Sequence, residues 1–324
     1  MPQTAIPRHN STHQLSSRVQ LANAVSLPKN KSRMKSIASA LLAATLLAPP
    51  FLCVQFARAQ AADIPSAAPA TVAGQTDTQR GRILIDQMIA ALGGDMWLNR
   101  ATMQLDGRTS SFFQGQPNPY ITEYHELHRF AAPKALPPQL EADRVGFLTP
   151  RGMIMPGKVI DVVQIWTAGH GYEVTYKGRT ELPKEQVEEY YRRHAHSIEE
   201  VVHNWINAPD VMIIAQGTTM VERRIADKVT VLTAKNDAVT LELDATTHLP
   251  VRRTFQWRNP QFKDFDEEAE EYDDYHTVQG LPTPMTITRY HNGEMANQRF
   301  ITKVVYNTPL SPDLFDPANL LKKK

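Results

Sequence analysis

The stretch VTVLTAKNDAVTLELDATTHLPVRRTFQW, residues 229–257, decides how the rest of the chain is read. In Val229–Ala234, Val239–Asp244 and Val251–Trp257, apolar side chains alternate with polar ones. That is the period-2 signature of strands with one buried face. Asn236-Asp237 separates the first two runs with residues that tolerate φ > 0, as a hairpin turn requires. Asp244–Pro250 is a polar turn before the third. Connections this short make neighbouring strands antiparallel.

Moving outward, the pattern persists in Thr219–Arg224, Glu268–Thr277, Thr283–His291 and Met295–Tyr306, with Asn292-Gly293 as a further turn. Towards the N-terminus, Ala101–Phe113 and Tyr120–Phe130 alternate, and Asp161–Trp166 pairs with Tyr172–Tyr176 around Gly169-His170-Gly171. Pro and Gly break residues 131–158, where no element is assigned. Asp77 or Thr78 is expected to cap a first helix, with Ile85, Met88, Ile89 and Leu92 on one face and Gly93-Gly94 as its stop. A second helix is expected from Pro183, carrying Val187, Tyr191, His194, Ile198, Val201, Val202 and Trp205 as an apolar stripe. Asn207-Ala208-Pro209 ends it, and Asp210–Gln216 reads as a further short helix. The sum is about ten or eleven strands and two or three helices, an α+β chain. A sheet of that size curls, and the Tyr191–Trp205 stripe is the apolar element expected to close its hollow.

Residues 1–59 hold seven basic side chains (Arg8, Arg18, Lys29, Lys31, Arg33, Lys35 and Arg58) and no acidic one. The Lys29–Lys35 cluster, the small or apolar run Ile37–Ala48, and the sites Ala57-Arg58-Ala59 and Ala59-Gln60-Ala61 follow the order of a cleavable secretory signal. Met34 is an alternative start, and cleavage falls after Ala59 or Ala61. The rival reading is an uncleaved membrane anchor over Ile37–Phe56. Residues 60–76 read as a disordered linker, and residues 77–324 as a single β-rich domain. Cys53, the one cysteine, leaves with the leader, so the exported part has no thiol nucleophile and no disulfide. Of 35 basic residues 28 remain against 34 acidic ones, a net charge of −6. A chain without a basic stripe is a poor nucleic-acid binder.

Several side-chain groups invite a chemical reading. His196, Glu200 and His203 share one helical face at metal-ligand spacing, but a third protein ligand is missing from the pattern. His125 and His128 point to opposite faces of one strand. Asp264–Asp274 holds eight acidic residues in eleven without the glycine and spacing of a calcium loop. It reads as a solvated hairpin end or a charge-guarded edge strand. No Gly-x-Ser-x-Gly, P-loop or dinucleotide fingerprint is present. No catalytic residue, metal or cofactor is therefore assigned. Met103, Leu105, Trp166, Trp205 and Trp257 are the expected lining of a ligand cavity.

The strings Leu243–Pro250, Tyr275, Val278–Pro284, Val305-Tyr306-Asn307 and Leu314-Phe315-Asp316-Pro317, with Ala91-Leu92-Gly93-Gly94 after the first helix, resemble the lipoprotein-sorting carrier superfamily (LolA/LolB-like), especially its exported bacterial members. The resemblance spans roughly residues 78–320. It implies an incomplete, strongly curved β-barrel with helices as a lid, and the expected function is that of a periplasmic binding or carrier protein for an apolar small molecule, such as a lipid or acyl chain, not an enzyme. Burying acyl methylenes is worth about 0.8 kcal/mol each. The chain departs from the sorting carriers in its inserted 131–158 region and long middle helix, and no lid-closing arginine is placed in it. A hollow of several hundred Å³ with few charges is expected. The competing expectations are a packed envelope protein that meets a partner through Asp264–Asp274, and a metal-assisted hydrolase built on His196, Glu200 and His203.

Overall fold

A computed structural model describes residues 76–132, 139–150 and 157–323. The leader, and the linker up to residue 75, lie outside the described residues. So do parts of the unassigned 131–158 region.

Helix α1 (Asp77–Leu92) starts one residue earlier than expected. Thr76 is its cap: the hydroxyl accepts from the Gln79 amide, and the Gln79 side chain returns to the Thr76 amide. This is a capping box. Gly93 and Gly94 end the helix at φ 122° and 56°, and α2 (Asp95–Leu98) follows with Trp97 buried.

Fourteen strands follow: β1 (Thr102–Phe113), β2 (Gln116–Pro117), β3 (Thr122–Arg129), β4 (Ala142–Pro150), β5 (Lys158–Thr167), β6 (His170–Val174) and β7 (Arg179–Glu181) come before the middle helices. After them come β8 (Met212–Val221), β9 (Arg224–Leu232), β10 (Ala238–Asp244), β11 (Pro250–Arg258), β12 (Phe265–Val278), β13 (Leu281–His291) and β14 (Glu294–Tyr306). All pair antiparallel in the order β7-β6-β5-β4-β3-β1-β14-β13-β12-β11-β10-β9-β8, with β2 on the end of β1. The sheet is open, because β7 and β8 are its two edges. Irregular pairing at Asp106/Gly107, Phe147/Leu148, Ala215/Gly217, Glu242/Leu243 and Arg289/Tyr290 bends individual strands, as bulges do.

Three expectations fail here for local reasons. Thr219–Arg224 is not one strand. It crosses a two-residue turn, Glu222-Arg223, with φ of 48° and 70°, and these residues lack the usual turn chemistry. Asp210–Gln216 is not a helix but runs into β8, whose Ile213 and Ala215 enter the core. The expected single middle helix is two: α3 (Lys184–Ala195) and α4 (Ile198–His203). Ser197 begins the second, its hydroxyl accepting from the Glu200 amide.

The split changes what covers the sheet. No side chain of α3 is fully buried. The cover consists of α1 (Leu84, Ile85, Met88, Leu92) and α4 (Ile198, Val201, Val202), in one core with Val229, Val231, Val239, Leu241 and Leu243. Helix α1 approaches β8 so closely that a Cβ on Gly81 would lie 2.6 Å from the Ile213 carbonyl oxygen. On the convex side Phe315 packs with Leu127 and Ala142, pinning the C-terminal segment.

Candidate functional site: a two-part hollow

Strand alternation aims Tyr124, Glu126 and His128 of β3 at the same side as Glu268, Glu270 and Tyr272 of β12. Between this face and the helices lie two adjoining spaces. The first, about 200 Å³, has an apolar wall that includes Leu92, Trp97, Leu105, Ile287, Ile301 and Val304. The second, about 280 Å³, is walled by polar groups, among them His128, Asp143, Tyr190, His194 and Arg253. Met103, Glu126, Ser197, Glu199, Glu270 and Arg299 line both. The interior is therefore not poor in charge, contrary to expectation.

The charges are compensated in pairs. Arg299 pairs with Glu126, and its Nε donates to the Tyr124 hydroxyl at 2.9 Å. Arg253, 2% exposed, places Nη2 3.0 Å from Glu270. Its Nη1 donates to the carbonyl oxygens of His196 (2.7 Å) and Arg193 (3.2 Å). One sheet arginine thus holds the C-terminal end of α3, where unpaired carbonyls and the helix dipole favour a cation. Arg100 lies 3.2 Å from Glu199 and 4.5 Å above the Trp97 ring.

His128 forms the other centre. Its Nδ1 bonds Asp143, which also accepts from the Tyr190 hydroxyl, and its Nε2 lies 2.9 Å from Glu141. Glu141 also meets His194 at 3.0 Å. Burial acts to lower the His128 pKa, but Asp143 and Glu141 outweigh it and push the imidazole up to about 10. Burial acts to raise Glu141, yet His128 and His194 bring it down to about 2. Burial, then Asp143, pushes the Tyr190 phenol above its usual range. Glu270 is lowered, because Arg253 and Tyr272 outweigh its burial. Both nitrogens of His128 face carboxylates, so neither offers a substrate a free lone pair. The arrangement can hold a polar group inside the molecule; it presents no activated nucleophile.

Met103 and Leu105 line the hollow. The three tryptophans expected with them stand elsewhere. Trp166 stacks on Tyr190 at 4.1 Å, Trp205 lies edge-on to His196 at 5.4 Å, and Trp257 faces a separate groove. The proposed metal face is dispersed by the helix break. His196 caps α3, bonds Asp237 at 2.9 Å and stacks on Phe255, while His203 stacks on Trp97 and Glu200 accepts from Asn204. The acidic Asp264–Asp274 segment is neither an edge nor a hairpin end. It lies mostly within β12, between β11 and β13, with Glu268 and Glu271 buried.

A DUF1329 family protein from Desulfovibrio piger superposes with a TM-score of 0.51 at 10% identity, over 75% of this chain and 98% of that one. The two chains share a fold. An outer membrane lipoprotein-sorting protein domain from Vibrio parahaemolyticus aligns at 0.47 with 8% identity, over 74% of this chain and 97% of that one. A LolA superfamily protein from Nitrosomonas europaea aligns at 0.44 with 8% identity, over 73% and 97%. No family model matches the chain, and no curated protein matches it by sequence. The incomplete antiparallel barrel covered by helices that the sequence strings implied is present as an open sheet, with 14 strands where ten or eleven were counted.

Proposed function

We propose that the exported chain is a periplasmic binding or carrier protein for an amphiphile such as a lipid or acyl chain, and not an enzyme. The observation that carries this reading is the pairing of an apolar space with a charge-lined one under the same helices. The apolar part receives the chain of the ligand, and Glu126, Glu270 and Arg299 meet its polar end. Together the two spaces are on the scale of small-molecule sites, about 300–1,000 Å³. A ligand with a polar end suits this interior better than a wholly apolar one, because its second part is lined by charged side chains. Export rests on the leader composition.

Native mass spectrometry of the chain with laurate and with lysophosphatidylcholine tests the reading. A one-to-one adduct is expected, lost in Ile287→Trp, which fills the apolar space. An unchanged mass with both ligands counts against an amphiphile carrier.

A further inference from the structure

A third space lies apart from the two-part hollow. It is a groove of about 480 Å³ between α3 and the ends of β11–β12 and β13. Glu185, Glu188, Glu189 and Arg192 line one side, at the three- and four-residue spacing of one helix face. Trp257 and Pro260 line the groove with them, and the Arg192 guanidinium lies over the Trp257 ring, 4.5 Å from its centroid. Among the described residues lining it, five carboxylates face two guanidinium groups, Arg192 and Arg289. The groove is therefore a poor seat for an anion.

One carboxylate stands out. Glu268 is 3% exposed, lines the groove, and its Oε1 has no hydrogen-bond partner among the described residues. Its nearest cations are Arg253 Nη2 at 3.9 Å and Arg193 Nε at 4.0 Å. Both make their short contacts elsewhere, Arg253 with Glu270 and two carbonyl oxygens, Arg193 with Glu189. A buried carboxylate oxygen left without a donor is costly, and a ligand donor removes that cost.

We propose that this groove binds an organic ammonium ion, its positive head donating to Glu268 and its aliphatic part lying against Trp257. Arg192 shows that the indole takes a cation over its ring, and the rest of its surface can pack the aliphatic part. Bare metal ions fit less well: among the described residues no three His, Cys, Asp or Glu side chains are grouped to hold one. The inference does not depend on amphiphile binding in the hollow.

The groups facing Glu268 are Arg193 and Glu189 from α3, Arg253 from β11, Glu270 on its own strand, and Arg289 and His291 from β13. Burial raises Glu268, Arg193 partly opposes this, and the carboxyl stands at about 7. A cation selects the ionised form. Affinity must then rise with pH, about ninefold from pH 6 to pH 8, as the ionised share of such a group grows from roughly a tenth to roughly nine tenths.

Calorimetric titration of the full chain with butylammonium chloride, alongside 1-butanol and calcium chloride, tests the proposal. The expected result is saturable one-to-one binding of butylammonium in the millimolar range, tightening with pH, with none for butanol. Glu268→Gln weakens it at least tenfold and removes the pH dependence, with unchanged circular dichroism. Glu185→Gln, on the exposed side of α3, weakens it about twofold and serves if Glu268→Gln does not fold. Equal binding of butanol, tighter binding of calcium, no saturation, or indifference to Glu268→Gln and to pH each overturns the proposal.

Discussion

The two ends of the concave face are built on different principles. Under α1 the sheet is closed by Val229, Val231, Val239, Leu241 and Leu243, all fully buried. Under α3 it is closed by charge: Arg253, Glu268 and Glu270, with His128, Asp143 and Glu141 beside them. Apolar burial is the ordinary way to stabilise a sheet, at roughly 25 cal/mol per Å². Buried ion pairs rarely improve on a well-packed apolar core, because desolvation offsets most of the attraction. A fold that only had to be stable could have closed both ends alike. The charged end therefore answers to something besides stability, and perturbed groups beside a cavity are where binding is to be sought.

The most severe test of this contrast removes the cation shared by sheet and lid. Arg253→Ala strands Glu270 and Glu268 in the interior and frees the carbonyl oxygens of Arg193 and His196. A loss of about 3–5 kcal/mol is expected, measured by urea unfolding, with faster hydrogen exchange along α3. A loss under about 1 kcal/mol would mean the charged end is structurally idle.

The apolar end gives the matching figure. Leu241→Ala leaves a cavity at a fully buried position and should lower stability by roughly 2–5 kcal/mol, with no effect on α3 exchange. A change in that exchange would couple the two ends and weaken the comparison.

Titration separates them more finely. His128 is raised to about 10, so its contribution is complete below its ordinary value of 6.5 and is lost as pH rises through 10. Glu141 is lowered to about 2, so its contribution is complete above 4.5 and is lost as pH falls towards 2. Glu268, raised to about 7, loses stability as pH rises from 4.5 through 7. The melting temperature should therefore fall on the acid side of 4.5 and again, more gradually, on the alkaline side. Replacing His128 by Leu should flatten the limb towards pH 10. An alkaline limb unchanged in that variant would assign the titration elsewhere.

The smallest effect belongs to the junction. Ser197 caps α4 and lines both spaces. Ser197→Ala should cost about 1 kcal/mol by thermal unfolding without altering the acid limb.

Much of the sheet was legible because its signals are local. Asn292-Gly293 carries standard hairpin chemistry and adopts φ of 50° and 80°. Glu222-Arg223 makes a comparable turn without that chemistry, because pairing of β8 with β9 holds it. Strand β4 was hidden by the surrounding prolines and by Gly146, which is glycine because a Cβ would lie 2.9 Å from the Ile160 side chain. The middle stripe misled because His194 and Ile198 keep helical spacing across the break at Ser197. Of the residues lining the candidate hollow, Met103 and Leu105 were among those expected from the sequence. The charged residues beside them were not.

The alternating faces and the first helix with its glycine stop follow from the amino-acid sequence, since each depends on neighbours a few residues apart. That the acidic segment lies mostly inside the sheet, with Glu268 and Glu271 buried, depends on the tertiary structure. Glu126 meets Arg299 across 173 positions of chain, and Glu268 meets Arg193 only because α3 lies over β12. Alternation says which way a side chain points. What it points at depends on register between distant strands, and that is set by the packing of the whole sheet.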